Sequence, residues 1–148
     1  MINIALYKPD IPQNTAAIIR LGACLSLRIH IIEPCGFSLN DSRFKRVAMD
    51  YTKLSKISKY KDYDSFKKKN YKSRIILMTT KTNKAYFNFS FKNDDILLFG
   101  RESAGVTKRI HEDVKFKLTI PMQKKARSLN LAMSVAIVSS EAFRQNKI

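Results

Sequence analysis

Two short apolar runs bracket a helix-length segment at the start of this chain, Ile2-Asn3-Ile4-Ala5-Leu6-Tyr7 and Leu27 to Ile32. Both are near-continuous rather than alternating, the pattern of a strand buried on both faces. The segment between them carries Ala17, Ile18, Leu21, Cys24 and Leu25 at helical spacing. A strand, a helix and a second buried strand in that order form a crossover unit, whose strands pair in parallel. Lys8-Pro9-Asp10 ends the first strand, a loop with Pro9 and Pro12 runs to Gln13, and Asn14 is placed as the N-cap of a helix over Thr15 to Leu25. The second strand stops at Glu33-Pro34.

The alternation continues downstream. Asp41 is placed as the cap of a basic helix running through Phe44 and Ala48. Tyr51 to Lys72 is rich in Lys and Tyr, with a helix expected around Asp64 to Asn70. Strands are expected over Arg74 to Thr79, Asp95 to Phe99 and Phe116 to Ile120, with a long polar and aromatic loop from Thr80 to Asn93. Leu129 to Gln145 lacks Gly and Pro and reads as the longest apolar helix. The pattern predicts an α/β fold with a mostly parallel sheet flanked by helices, which binds ligands at the carboxyl ends of its strands. The 148 residues suit a single domain, 1–148, with a core of its own.

The formal net charge is +16, from 28 Lys and Arg against 12 Asp and Glu. A field of that size draws in polyanions and speeds their encounter. Two other sources of the charge stand beside this one, a lysine-rich composition and attraction to an anionic membrane surface. No strongly amphipathic basic helix with exposed aromatics supports the second. No apolar run reaches the roughly 18 residues that span a bilayer, and Met1-Ile2-Asn3-Ile4 has no basic region ahead of its apolar run. A soluble, cytoplasmic protein without a signal peptide is the expectation. Cys24 and Cys35 lie outside any CxxC or Cys/His cluster, so neither a metal site nor a redox pair is expected. Cys24 is placed in the core and Cys35 in a loop between Pro34 and Gly36.

Chemistry gathers in three segments: Pro12 to Arg20, Leu97 to Val106, and Ile120-Pro121-Met122 followed by Arg127 to Leu131. A strand that stops at Gly100 lets the backbone approach a ligand closely. Glu102 follows near an expected helix start. Ser128 is placed as the cap of the last helix, leaving free N–H groups where an anionic group can bind. The strand ends at Gly100 and Pro121 are expected side by side, as a cleft of backbone donors for a nucleoside-like cofactor. Singly, Gly100 and Gly105 read as ordinary turn residues and Ser128 as an ordinary cap.

As a set, in this order and at this spacing, the three segments resemble the signature motifs of the SPOUT methyltransferases. The tRNA wobble-ribose branch is resembled further by Ile11-Pro12-Gln13-Asn14-Thr15, Ile18-Ile19-Arg20-Leu21, His30, Ile32-Glu33-Pro34, Gly36-Phe37, Asp50-Tyr51, Thr79-Thr80-Lys81 and Glu141 to Gln145. The resemblance implies a C-terminal deep trefoil knot, S-adenosylmethionine as cofactor, a homodimer with the site near the subunit interface, and tRNA as partner. The implied activity is 2′-O-methylation of a wobble cytidine or modified uridine. By motif position the cofactor would lie against Met78, Thr79, Gly100, Glu102, Gly105, Ile120, Met122, Ser128, Leu129 and Asn130. Arg20 and Asn14 take the catalytic positions. Arginine stays protonated, so Arg20 is read as a clamp on phosphate that orients the ribose hydroxyl. Arg43, Lys45 and Arg46 form a basic cluster suited to RNA, while Lys67-Lys68-Lys69 reads as a solvated face. The chain departs from the branch pattern at Ala16, where glycine is usual, at Ala132-Met133, at Ser140, where the branch has tyrosine, and at Phe143. A knotted RNA-binding protein with little catalysis, and an enzyme acting on another tRNA or rRNA ribose, are the competing readings.

Overall fold

The computed structural model describes residues 1–48 and 51–146. Its elements run β1 (Asn3–Tyr7), α1 (Pro12–Leu25), β2 (Arg28–Ile32), α2 (Ser42–Ala48), α3 (Tyr51–Leu54), β3 (Lys56–Tyr60), α4 (Tyr63–Lys69), β4 (Ile75–Met78), β5 (Ile96–Phe99), α5 (Lys108–Asp113), β6 (Phe116–Leu118) and α6 (Leu131–Asn146). The strands form one 6-stranded sheet in the order β3-β2-β1-β5-β4-β6. Every pairing is parallel, from Asn3 opposite Arg28 to Met78 opposite Leu118. The chain builds outward from β1 to β3, then returns to the other side of β1, so the order reverses beside β1. Such a reversal opens a crevice at the carboxyl ends of the strands.

Alternate residues of each strand feed opposite faces. Ile4, Leu6, Ile29, Ile31, Leu97 and Phe99 pack beneath Ile18 of α1 and Leu131, Val135, Val138 and Ala142 of α6. Ala5, Tyr7, Leu77 and Leu98 pack against Tyr63 and Phe66 of α4 and Ile110 and Val114 at α5. Covering both faces is what makes the strand sequences continuously apolar. A smaller cluster joins Ala16 and Ile19 of α1 to Phe44 and Ala48 of α2. The methyl of Ala16, where glycine is usual in the SPOUT pattern, is therefore spent on helix packing.

Several boundaries differ from expectation for physical reasons. Helix α1 begins at Pro12, not Thr15, with Ile11 in the cap position and no cap bond from its own side chain. Proline is at home there because the first turn has no use for its missing N–H. Asn14 is thus inside the helix and does not cap it. The last helix begins at Leu131, and its cap is Asn130, whose Oδ1 accepts from Ala132 N at 2.9 Å and Met133 N at 3.2 Å. Ser128 lies ahead of that cap. Helix α5 starts at Lys108 beneath the Thr107 side chain, so Glu102 is not at a helix start but in a tight turn closed between Arg101 and Gly105. Cys24 is exposed rather than core. Strand β3, unforeseen, is a sheet edge of Lys-Ile-Ser-Lys-Tyr whose lysines discourage pairing with other chains. Asp41 does cap α2, accepting from Arg43 N at 2.7 Å. Asp50 of the Asp50-Tyr51 pair lies outside the described residues. No helix among those described is long and apolar enough to cross a membrane.

Candidate active site

A cleft of about 400 Å³ opens at the carboxyl edge of the sheet. Met78 and Thr79 line it from the end of β4. Gly100, Glu102 and Gly105 follow β5, and Ile120 and Met122 follow β6. Ser128, Leu129 and Asn130 close it ahead of α6, and Ile11 and Asn14 border it from α1. Every position expected to touch a cofactor borders this one cavity. The β5 and β6 ends do not adjoin, because β4 lies between them and pairs with both. The loop after β4 therefore forms the middle of the cleft rather than its rim.

The turn after β5 depends on two glycines. Arg101 N donates to Gly105 O at 3.1 Å and Gly105 N to Arg101 O at 2.8 Å. A Cβ on Gly100 would stand 2.5 Å from the Gly105 carbonyl carbon, which is backbone and cannot yield. Gly105 has φ +66°, a left-handed conformation open to glycine.

Glu102 is held by α1 rather than by a basic side chain. Its carboxylate accepts from Asp10 N at 2.7 Å, Ile11 N at 3.2 Å and Asn14 Nδ2 at 3.2 Å. This long-range carboxylate satisfies donors ahead of and within the first turn of α1, and it sits where the helix dipole favours negative charge. Asn14 in turn accepts from Asn130 Nδ2 at 2.9 Å. Thus Glu102, Asn14 and Asn130, one from each motif segment, form a continuous hydrogen-bonded chain across the cleft.

Asp10, Arg101 and Ser103, which the sequence reading did not single out, lock the same turn from outside. Arg101 forms a two-pronged ion pair with Asp10, and Ser103 donates to Asp10 Oδ2 through N at 3.1 Å and Oγ at 2.5 Å. The hydrogen bonds from Arg101 and then Ser103 hold the Asp10 carboxyl well below the usual carboxylate range. The partners are 91 to 93 residues apart, and no local spacing signals such a pair.

Arg20 does not line the cleft of its own chain. It is exposed on α1, with its guanidinium carbon 5.0 Å from the ring centre of Tyr51. Arg43, Lys45 and Arg46 are exposed on α2, with Arg43 paired to Asp41 through Nε at 3.2 Å and Nη2 at 3.1 Å. Among the described residues no group of His, Cys, Asp and Glu is assembled to hold a metal ion.

The cleft is of the size that holds a cofactor-sized molecule, roughly 300–1,000 Å³. Met78, Ile120, Leu129 and Leu131 give it apolar walls, while Thr79, Ser128, Asn130 and the turn after Gly100 place polar groups at its border. That mixture suits a nucleoside joined to a charged tail. A parallel sheet with such a cleft at its switch point defines an α/β domain of the nucleoside-cofactor-binding type. The model of the SpoU rRNA methylase family matches residues 1–140, and the chain belongs to that family. It is 42% identical over 144 residues to the tRNA (cytidine(34)-2′-O)-methyltransferase of Beijerinckia indica, covering 96% of this chain and 90% of that protein. It is 40% identical over 147 residues to the enzyme of the same name from Escherichia coli, covering 98% and 94%. A solved structure concerned with 2-OH methylation of C/U34 on tRNA superposes with a TM-score of 0.93 at 32% identity, covering 98% of this chain and 95% of that one.

Proposed function

We propose that the protein methylates the ribose 2′-hydroxyl of the wobble nucleotide of tRNA, a cytidine or modified uridine, using S-adenosylmethionine. The observation that carries this reading is the meeting of all three motif segments at one cleft, tied by Glu102, Asn14 and Asn130. The relatives' activity and the net charge of +16 support the choice of tRNA. S-adenosylmethionine, when bound, supplies a sulfonium methyl whose leaving group departs as a neutral thioether, so no acid is needed there.

What the chain must supply is position, which can contribute several kcal/mol to such a step. Met78, Thr79, Gly100, Glu102, Gly105, Ile120, Met122, Ser128, Leu129 and Asn130 would hold the cofactor. The nearby carboxylates are already engaged, Glu102 by α1 and Asp10 by Arg101 and Ser103. Neither is a free general base. Arg20 remains a cation, which binds RNA phosphate and orients the hydroxyl. Arg43, Lys45 and Arg46 add attraction along α2.

Ala17 and Cys24 on α1, and Met133, Ile137 and Ser140 on α6, are exposed at helical spacing on helices packed side by side. A second copy of the chain is the natural cover for this largely apolar strip, giving a homodimer. Arg20 shares the strip, so the dimer would bring it to the subunit interface. The SPOUT resemblance carries the further reading of a C-terminal trefoil knot in a single, cytoplasmic domain.

Mapping labelled methyl groups on total tRNA tests the reading. The expected product carries the methyl on the wobble ribose. An unmethylated wobble nucleotide beside another labelled ribose would overturn the target, and no cofactor binding in calorimetry would overturn the enzyme.

A further inference from the structure

A second, smaller hollow of about 200 Å³ lies against the cofactor cleft. The two share the first turn of α1. Ile11 and Asn14 border the cleft, while Pro12 and Gln13 border the hollow. Half-buried Phe37 forms its aromatic wall and packs on Phe44, which is buried behind it, with ring centres 5.2 Å apart and planes tilted by 40°. Asp41 and Arg43 stand at its edge.

The chemistry of these walls narrows the occupant. The hollow is too small for a drug-sized molecule, which takes roughly 300 Å³ or more. Phosphate gains nothing from aromatic walls, whereas any nucleobase has a face to stack on them. Proteins that read single-stranded RNA hold splayed bases on aromatic rings in this way. The rim then reads the base edge. A carboxylate offers about four acceptor positions, and Asp41 is taken up by three bonds from Arg43 and by the Phe44 N–H. The exposed Gln13 amide is left to meet the base. Its carbonyl can accept from an exocyclic amino group, the donor that cytosine presents. Arg43, Lys45 and Arg46 on the same helix attract the backbone that would carry such a base.

We propose that this hollow seats one unstacked, amino-bearing base of the RNA loop being methylated, so that the Phe37 ring fixes the loop while its ribose is presented to the neighbouring cleft. The inference rests on RNA being the substrate and adds a base-reading subsite to it.

The test uses the full-length protein and an anticodon stem-loop RNA with 2-aminopurine placed at each loop position in turn. This base brightens when it leaves the stack. Brightening at one loop position is expected with the natural protein. Phe37→Leu should abolish it and weaken RNA binding about tenfold, while Phe37→Tyr should preserve both. Gln13→Ala, an exposed change that leaves the rings in place, should lower the preference for cytosine over uracil at that position. Cofactor affinity measured alongside should stay unchanged in all three, which guards against a folding defect. Wild-type brightening and affinity in Phe37→Leu would overturn the proposal, and methyl transfer by that variant at a normal KM would do so while leaving the enzyme reading intact. A changed oligomeric state of Phe37→Leu by light scattering, with unaltered RNA binding, would also overturn it, assigning the hollow to a contact between copies. Loss of brightening in Phe37→Leu, with no methyl transfer by the natural protein, would support the subsite and sink the enzyme reading instead.

Discussion

Asn14 accepts a 2.9 Å hydrogen bond from Asn130, 116 residues further along the chain, and this bond joins the first turn of α1 to the cap of α6 across the cleft at the carboxyl edge of the sheet. Asn130 performs two tasks at once. Its Oδ1 caps α6 while its Nδ2 reaches Asn14. Asn130→Ala is expected to lose both, and Asn14→Ala to lose the bridge together with its bond to Glu102. Each lost bond of this kind is worth about 1 kcal/mol, so cofactor affinity should fall about five- to tenfold. The double variant should lose less than the sum, with a coupling of about 1 kcal/mol by calorimetry. Strict additivity would show that the bridge carries no shared energy.

Glu102 supports α1 from a distance, accepting from two backbone N–H groups and the Asn14 amide. Glu102→Ala should strand those donors and cost about 1–2 kcal/mol, seen as a fall of a few degrees in Tm. Glu102→Gln keeps a neutral acceptor and should fall between the two. If both variants melted like the natural chain, the carboxylate would not be the anchor of this helix.

Much of the sheet was legible because strands buried on both faces leave continuous apolar runs, as in Ile2 to Tyr7 and Ile75 to Met78. The edge strand Lys56–Tyr60 was not, because only an interior strand must be apolar throughout. The residues of the cleft were legible as a resemblance in motif order. Their bonding was not. Asn14 has the chemistry of a cap and stands beside a proline that starts helices. Whether it caps or bridges is decided by Glu102 and Asn130, far away in sequence. The Asp10–Arg101 pair is hidden for the same reason. The placement of Cys24 failed because apolar spacing marks a face of a helix without saying whether this chain or a second copy covers it.

His30 is buried, with Nδ1 2.9 Å from the Tyr60 hydroxyl and its ring against Phe66. Burial, and then the charge of Arg28, push its pKa from 6.5 down to about 4. The unfolded chain therefore takes up a proton that the folded one refuses. The stability of the neutral ring is complete above about pH 6.5 and is lost as pH falls toward 4, by about 3 kcal/mol in total. Denaturant midpoints at pH 7 and pH 5 should differ in the natural protein and converge in His30→Phe. The window above pH 5 isolates the histidine from Asp10, whose carboxylate protonates far lower. An unchanged pH slope in the variant would assign the acid sensitivity elsewhere.

The outer strip of α1 and α6 leaves Met133 61% and Ile137 37% exposed, on a helix whose opposite face is fully buried. Placing a charge there should cost a dimer far more than the fold, since a buried unpaired charge is costly and an exposed one is not. Ile137→Asp is expected to halve the solution mass by light scattering while leaving Tm of the subunit within a few degrees. A natural protein that is already monomeric at working concentration would remove the dimer from the account.

Arg20 stacks on Tyr51 at 5.0 Å, and does so outside the cleft of its own chain. An exposed contact of this kind is worth about 0.5–1 kcal/mol, enough to bias the orientation of the guanidinium but not to hold the fold. Arg20→Ala should therefore leave stability and cofactor affinity within about twofold while turnover on tRNA falls about a hundredfold, the scale of a lost positioning contact. Arg20→Lys should restore little, because an ammonium cannot reproduce the planar fork on phosphate and ribose. Single-turnover kinetics with saturating tRNA separates this from weaker RNA binding, since a positioning role lowers the rate at saturation and not only the KM. Natural turnover in Arg20→Ala would remove this side chain from the reaction.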